Sequence, residues 1–526
     1  MYIFRKSGEI NMKKQSKKFL AIVLAMSLIV SVFGSFSTVA TETKNSQSTY
    51  TTDSFVRIEN EDGIRYIGST GNAPINRSEA CNNVPVISTA NDYNEIIHDN
   101  KADLAHTAAL PSFVDNSTSK YFPAIGNQGG LGSCQYWAQV YYQFTYTMNK
   151  EKDVTTTAQN TFSPQWAYNL IASTDDMVGT YYNLYTMMQV QGNVFQSQVP
   201  YTEDTTSYYP TEDVWKTSIK HRVKGYQLFE ELGGNGKEIT SSDDPDLLAI
   251  KTSLSNGDVI AFSSYIYSWD IIKLKQNTKA PENKKYENQE ILREVDGSEG
   301  SHRLTIVGYN DNIWCDVNDN NTVDTGEMGA FKIANSWGDN WGNAGFMWIT
   351  YDALNKVSCV EGAAHEEKRQ AAFGEMCRID VMKYGEDSQL YLKYTVNTAD
   401  RTQVKISITL EKDGTPYTRQ VYSNIFHGDK IAYDGSKEAT DATMVALLSN
   451  VVAGIKSEDL DDYSMSVTFE DKQNDSNILT VKDVVFVDET AGKVYSAQDA
   501  YPLTLNGEKE TVNYTESKLN HAVVYY

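Results

Sequence analysis

Between residues 126 and 138 the chain reads Gly126-Asn127-Gln128-Gly129-Gly130-Leu131-Gly132-Ser133-Cys134-Gln135-Tyr136-Trp137-Ala138. Glycines crowd the approach to Cys134, and Trp137, Val140, Tyr141, Phe144 and Met148 follow at helical intervals. This pattern delivers a cysteine to the first residue of a helix. There the helix dipole and the unsatisfied N–H groups favour an anion, so the thiol ionises more readily than usual. A cysteine that only packs needs neither the glycines nor the Gln128 amide beside them. Cys134 is read as a nucleophile.

A thiolate needs a proton partner. The chain holds seven histidines: His98, His106, His221, His302, His365, His427 and His521. His302 stands out because Arg303-Leu304-Thr305-Ile306-Val307-Gly308-Tyr309 follows it, a short apolar strand that would hold the imidazole on a rigid element. A second strand-like run, Ala330–Ile333, leads into Asn335-Ser336-Trp337-Gly338-Asp339-Asn340-Trp341-Gly342. The Asn335 side chain is placed to accept an imidazole N–H and fix its orientation, with Trp337 shielding that bond from water.

These stretches resemble the papain family of cysteine peptidases. They occur in the family's order, with Gln128 six residues before Cys134, then His302, then Asn335 inside an N-S-W-G-x-x-W-G-x-x-G-[FY] motif that ends at Gly345-Phe346. Leu110-Pro111-Ser112-Phe113-Val114-Asp115 resembles the start of the family's mature enzyme. Val199-Pro200-Tyr201 and Asn256-Gly257-Asp258-Val259 resemble two further family segments. The resemblance spans about residues 109–360. It implies an α+β, papain-like two-lobed fold with a helical left lobe, a β-barrel-like right lobe and the site in the cleft. It implies Cys134 as nucleophile, His302 as general acid and base, and Asn335 as the residue that orients His302. Gln128 and the Cys134 backbone N–H would form the oxyanion hole. Gly179 and Trp337 would contact substrate. Three departures stand out: Leu131 replaces the family's disulfide cysteine, Gln135 replaces the tryptophan after the nucleophile, and Val178 replaces a glycine. The gap from Cys134 to His302 exceeds the family's usual spacing. A polar stretch from Ser268 to Ser301, read as a surface insertion, accounts for the excess.

Residues 316–327 form a second constellation. Asp316, Asn318, Asn320, Thr322, Asp324 and Glu327 occupy positions 1, 3, 5, 7, 9 and 12 of an EF-hand-like loop, with Asn321 at the position usually held by glycine. Flanking strands make this a structural Ca²⁺ loop capping a hairpin, and no cofactor is expected for catalysis. The other cysteines are Cys81, Cys315, Cys359 and Cys377. Cys359 and Cys377 are candidates to pair, which sequence leaves open.

At the N-terminus Lys13, Lys14, Lys17 and Lys18 precede an apolar run from Phe19 to Phe33, and Thr38-Val39-Ala40 is shaped like a cleavage site. That is a secretory signal peptide, so residues 1–40 are expected to be removed and the protein secreted, with Met12 an alternative start. No other segment is long and apolar enough to span a bilayer. Residues 41–108 are polar and poorly periodic, and are read as a pro-segment or spacer in which Val56–Ile67 hints at strands. Lys plus Arg is 46 and Asp plus Glu is 69, a formal net charge of −23, which excludes nucleic acid as a partner in the absence of a basic stripe.

Beyond a peptidase domain at 109–377 the pattern changes. Leu390, Leu392, Tyr394 and Val396 alternate, as do Val404, Ile406, Ile408 and Leu410, then Tyr463, Met465, Val467 and Phe469. Asp413-Gly414 signals a hairpin. Met444, Leu447, Leu448, Val451, Val452 and Ile455 are spaced as a helix. Residues 378–526 are read as a β-sandwich-like accessory domain. The whole chain is read as a secreted endopeptidase acting on proteins or peptides through a thioester at Cys134. The alternative is a weakly active or inactive scaffold that binds glycan, cell surface or protein through the C-terminal domain. An acyl transferase or aminopeptidase using the same thiolate is a third reading.

Overall fold

Thirteen strands run into one large sheet whose inner members are apolar on both faces. The computed structural model describes residues 48–51, 55–60, 63–68, 84–93, 109–171, 181–202, 211–233, 238–363, 369–383, 390–421, 430–448, 451–452, 455, 457–497 and 500–514. In chain order the strands are β1 (Ser48–Thr51), β2 (Phe55–Asn60), β3 (Gly63–Gly68), β4 (Val86–Ile87), β5 (Phe113–Asp115), β6 (Val223–Phe229), β7 (Ile260–Tyr265), β8 (Trp269–Lys273), β9 (Glu290–Val295), β10 (Ser301–Trp314), β11 (Met328–Ala334), β12 (Phe346–Thr350) and β13 (Met376–Val381). They pair in the order β1-β2-β3-β8-β9-β12-β11-β10-β7-β13-β6-β4, and β5 lies against β10. Strand β10 is buried along most of its length and carries two register shifts against β11. At Gly308 a Cβ would stand 2.1 Å from the Val114 carbonyl of β5, so only glycine admits that close crossing.

Helices cover part of this sheet. A continuous helical run at 134–151, here α1, is α-helical at Cys134–Tyr136, π-helical at Trp137–Phe144 and α-helical again at Thr145–Glu151. The sequence spacing anticipates an α-helix throughout. The wider π turns let all eight residues from Trp137 to Phe144 be buried. Helix α2 (Pro164–Ile171) begins as its sequence suggests, with Pro164 in the first turn and Ser163 Oγ accepting from Trp166 N at 3.1 Å. Helices α3 (Tyr181–Val190), α4 (Glu212–Ile219) and α5 (Pro245–Ser255) follow along the chain.

The stretch from Ser268 to Ser301 is not a surface insertion. It contributes β8 and β9, and Trp269, Ile271, Ile291, Leu292 and Val295 are buried. Its charges misled because they are paired inside the fold: Arg293 with Asp270 at 2.6 Å and Arg369 with Glu294 at 3.2 Å. Only the segment around Lys279–Lys285 is largely exposed.

Beyond β13 come β14 (Leu390–Thr398), β15 (Val404–Lys412), β16 (Thr415–Gln420), β17 (Thr440–Leu447), β18 (Ser464–Asp471), β19 (Leu479–Asp488), β20 (Lys493–Ser496), β21 (Leu503–Leu505) and β22 (Lys509–Tyr514). They form two antiparallel sheets, β17-β14-β19-β20 with β21 on β19, and β16-β15-β18-β22. The alternating apolar residues point inward, and Tyr394 meets Phe469 across the gap at 6.4 Å. Asp413 and Gly414 both take positive φ in the β15–β16 hairpin. The expected helix at 444–455 is instead strand β17 up to Leu447, followed by a turn. Met444, Val445, Ala446 and Leu447 are all buried because β17 is covered on its second face by α4. Burial on two faces erases the period-two signal. One hydrophobic core joins Trp166 and Trp215 of the helices to Leu392, Val467 and Phe486 of these sheets. Ending the chain at residue 383 is therefore expected to lower the unfolding temperature of the remainder, and calorimetry of the full chain should give one transition. Two transitions, or an unchanged temperature after truncation, would refute a shared core.

Candidate active site

Cys134 opens α1, and its first turn packs against β10. The thiol is fully buried. The preceding loop is pinned to the Asn335 segment by two hydrogen bonds that together make an antiparallel bridge between Asn127 and Trp337: Gln128 N donates to Ser336 O at 2.8 Å and Gly338 N donates to Gly126 O at 2.9 Å. Gly129 sits at φ 60°, which lets the loop turn sharply before the helix.

His302 lies in the first turn of pairing between β10 and β7, opposite Ser264. Its Nε2 is 2.7 Å from Asn335 Oδ1, and the same oxygen accepts from Ser336 N at 2.7 Å. The amide oxygen therefore faces the ring, and Nε2 carries the proton. In the neutral imidazole Nδ1 is then the basic nitrogen. It is buried and has no hydrogen-bond partner. Burial pushes the imidazolium down to about 4, with the Asn335 hydrogen bond opposing. Trp337 lies 4.8 Å from the His302 ring, tilted by 43°, and is buried.

Gln128 is buried beside this set. Its Oε1 accepts from Ser336 Oγ at 2.7 Å, and its Nε2 donates to Leu131 O at 3.0 Å. Thus the fold joins Gln128, Ser336, Asn335, Trp337 and His302 by direct contacts, and brings the Cys134 turn against the strand bearing His302. Gly179, Val178, Cys81 and the signal segment lie outside the described residues.

Sequence reading missed Tyr142 and Ser336. The Tyr142 hydroxyl accepts from Gly126 N at 3.0 Å and donates to Asn335 O at 2.7 Å, tying both site loops to α1. Tyr201, noted only by its motif, donates to Gln128 O at 2.7 Å and meets Ser133 Oγ at 2.6 Å. These contacts join residues far apart in the chain, so no local spacing announces them.

The described cysteines form no disulfide, and Cys359 does not pair with Cys377. Cys377 Sγ bonds Arg378 O at 3.4 Å, and Cys359 Sγ lies 3.5 Å from Asn355 Nδ2. In the 316–327 loop Asn321 takes φ 57°, and its N–H donates to the Asp316 carboxylate at 3.2 Å. Glu327 accepts from Trp314 Nε1 and Val317 N, both at 2.7 Å. Asp324 Oδ2 accepts from the Asn318 and Asn320 amides, and Lys275 reaches Asp316 at 3.1 Å. Among the described residues no three His, Cys, Asp or Glu side chains stand where they could hold a metal ion.

No family model matches this chain, and no curated protein matches it. Solved structures resemble it in part. Xylellain, a cysteine protease from Xylella fastidiosa, is 16% identical over 60% of this chain and 97% of that chain, with a TM-score of 0.38. A digestive procathepsin L2 proteinase from Tenebrio molitor larval midgut is 17% identical over 59% and 78%, with a TM-score of 0.37. The bromelain protease from Ananas comosus, in complex with the inhibitor E64, is 13% identical over 52% and 99%, with a TM-score of 0.33. These neighbours are papain-like cysteine proteases of low identity and partial coverage.

Burial holds His302 and His221 neutral, pushing them down to about 4 and about 3 from an ordinary 6.5. Both histidines bind protons more tightly in the unfolded chain. Their contribution to stability is intact above pH 6.5 and is lost as pH falls toward 4 and 3. For His302 the loss by pH 4 is about 3 kcal/mol. A series of Tm values between pH 7 and 4 should fall, and His302→Gln should flatten the fall. Equal slopes for the variant and the parent would contradict this.

Proposed function

We propose that the protein is a cysteine endopeptidase acting on protein or peptide substrates. The observation that carries this reading is the buried imidazole with Nε2 held by Asn335 at 2.7 Å and Nδ1 unpartnered, on a strand against the helix that begins at Cys134. In this reading Nδ1 takes the thiol proton, and the thiolate attacks the scissile carbonyl carbon. The Gln128 amide and the Cys134 N–H stabilise the oxyanion. His302 then gives the proton to the leaving amine, leaving a thioester at Cys134. Water, activated by the same Nδ1, hydrolyses it. Gly179 is assigned to substrate contact; Trp337, expected to share that role, is instead buried among Phe55, His302 and Trp341 and shields the His302–Asn335 bond.

Export belongs to the same reading: the lysine-then-apolar order of residues 13–40 supports secretion, and no helix among the described residues is long and apolar enough to cross a membrane. Residues 378–526, whose strands from β14 onward form two sheets of their own, are assigned to attachment to a cell surface, a glycan or a protein. The test is labelling by an epoxide thiol inhibitor together with cleavage of a denatured protein. Cys134→Ala should abolish both, and Gln128→Ala should lower kcat by about 10²–10³-fold with little change in KM. An unlabelled full chain that cleaves nothing would sink the reading.

We also propose a structural Ca²⁺ for the 316–327 loop. Its donors are all oxygen, which suits a hard cation; the Asp316, Asp324 and Glu327 carboxylates, here bonded to Asn321 N, the Asn318 and Asn320 amides, Trp314 and Val317 and not gathered about one point, would turn onto the ion together with the Asn318 and Asn320 amide oxygens and the Thr322 carbonyl. Asn321 already holds the left-handed conformation that the sixth loop position needs. Ca²⁺ at 100 times its Kd should stabilise the fold by about 2.7 kcal/mol, read as a rise in Tm over chelator. Glu327→Gln should remove that rise, and identical Tm values with Ca²⁺ and chelator would refute the site.

A further inference from the structure

The described parts of residues 48–93 supply both ends of the large sheet. Strands β1–β3 extend it beyond β8, and β4 closes it beyond β6. At the first edge Phe55 is stacked on Trp337, with ring centroids 6.0 Å apart and planes 17° from parallel. Trp337 in turn lies against His302. Tyr66 sets its ring at 5.4 Å from Phe55. Its hydroxyl accepts from Gly342 N at 3.1 Å and donates to Glu290 Oε2 at 2.7 Å. Arg57 meets the other oxygen of Glu290 at 2.8 Å. Phe55, Ile64 and Tyr66 are buried. At the second edge the Tyr93 hydroxyl donates to Asp258 Oδ2 at 2.7 Å, an oxygen shared with Arg378 and Ser253.

We propose that the chain from Ser48 to Tyr93 is a retained, working part of the enzyme, and that Phe55 is a positioning residue that fixes His302 through Trp337. The proposal rests on the peptidase reading and, of the two sequence-based readings of residues 41–108, pro-segment or spacer, it opposes the removable pro-segment. Three observations support it. Removal would unpair the sheet edge at Ile271 of β8 and at Leu228 and Phe229 of β6, leaving backbone groups there open. It would uncover apolar surface at both ends of the sheet. It would also open the outer face of Trp337 to water, next to a hydrogen bond that depends on exclusion of water. A segment that only blocked a cleft would need none of these attachments to the sheet or to the 337–342 loop.

Phe55→Ala in the full chain tests the positioning role, because the hairpin retains Tyr66, Arg57 and its strand pairing. A fall in kcat of about 10-fold or more with KM nearly unchanged is expected, together with recovery in Phe55→Tyr, which keeps the ring. Imidazole NMR should show His302 titrating above its buried value of about 4, toward 6.5. The NMR readout needs no turnover. If the parent cleaves nothing while Phe55→Ala still shifts the imidazole, the peptidase reading fails and the positioning role stands. A chain beginning at Ala109 should lose solubility or activity. If that trimmed chain is labelled fully by the epoxide with kcat/KM equal to or above the full chain, the segment is removable and the proposal is overturned. An unshifted imidazole and unchanged kcat in Phe55→Ala would overturn the positioning role.

Discussion

The acceptor 2.7 Å from His302 Nε2 decides which nitrogen of that ring is basic, and most of the surrounding fold serves to keep it there. Asn335 cannot turn its amide over, because Ser336 N donates to the same oxygen. Its backbone is held on both sides, by its own N–H to Gly345 O at 3.0 Å and by Tyr142 on its carbonyl. The pairing of Thr305 with Ala334 sets β10 and β11 in the register that puts His302 within reach of a residue just past the end of β11. Ser336 passes the constraint on to Gln128, so the Gln128 amide and the His302 ring are held by consecutive residues of one loop.

The same sheet is rich in buried charge, and pairing makes this possible. Arg369 is almost fully buried between Glu294 and Asp352, Lys251 is held by Asp311, and Arg378 is held by Asp258 and Asp380. Such pairs add little net stability. Losing one partner, however, leaves an uncompensated buried charge at a cost of about 3–5 kcal/mol. They act as registration devices between β9, β13 and the segments packed on them. Lys251 adds a cation–π contact with the Tyr309 ring at 5.0 Å.

Much of the candidate site's arrangement was legible in the sequence because its residues lie in short local motifs. A glycine-rich approach, a cysteine and a helical spacing sit within a few residues of each other, and Asn335-Ser336-Trp337-Gly338 follows a strand directly. The half-buried strands β14, β15 and β18 were legible for a similar reason, since one wet face preserves alternation. What was not legible had two faces buried or was paired over distance. Strand β17 lost its alternation under α4 and passed for a helix. Strands β8 and β9 carry charges that look solvated until Asp270, Glu290 and Glu294 find Arg293, Arg57 and Arg369. Phe55 and Tyr66 lie in a stretch whose polar composition suggests a spacer, and only tertiary contact shows that they pack against Trp337 and Glu290.

The position of Cys134 follows from packing more than from capping. Ser133, the residue before the helix, makes no side-chain cap, and its hydroxyl goes to Tyr201 instead. The helix is placed from within. Gln143 donates to Val259 O and Cys377 O, Thr305 Oγ1 donates to Ala138 O, and Tyr142 grips both site loops. The π turns between Trp137 and Phe144 lie along this anchored stretch. A π segment adds residues per turn and thereby changes which side chains share a face. In an α-helix the same sequence would rotate Tyr142 and Gln143 relative to Cys134 and break their bonds to the sheet. The irregular geometry of α1 is thus what allows one helix to present a thiol at its tip while its interior is bonded to β10, β13 and the Asn335 loop.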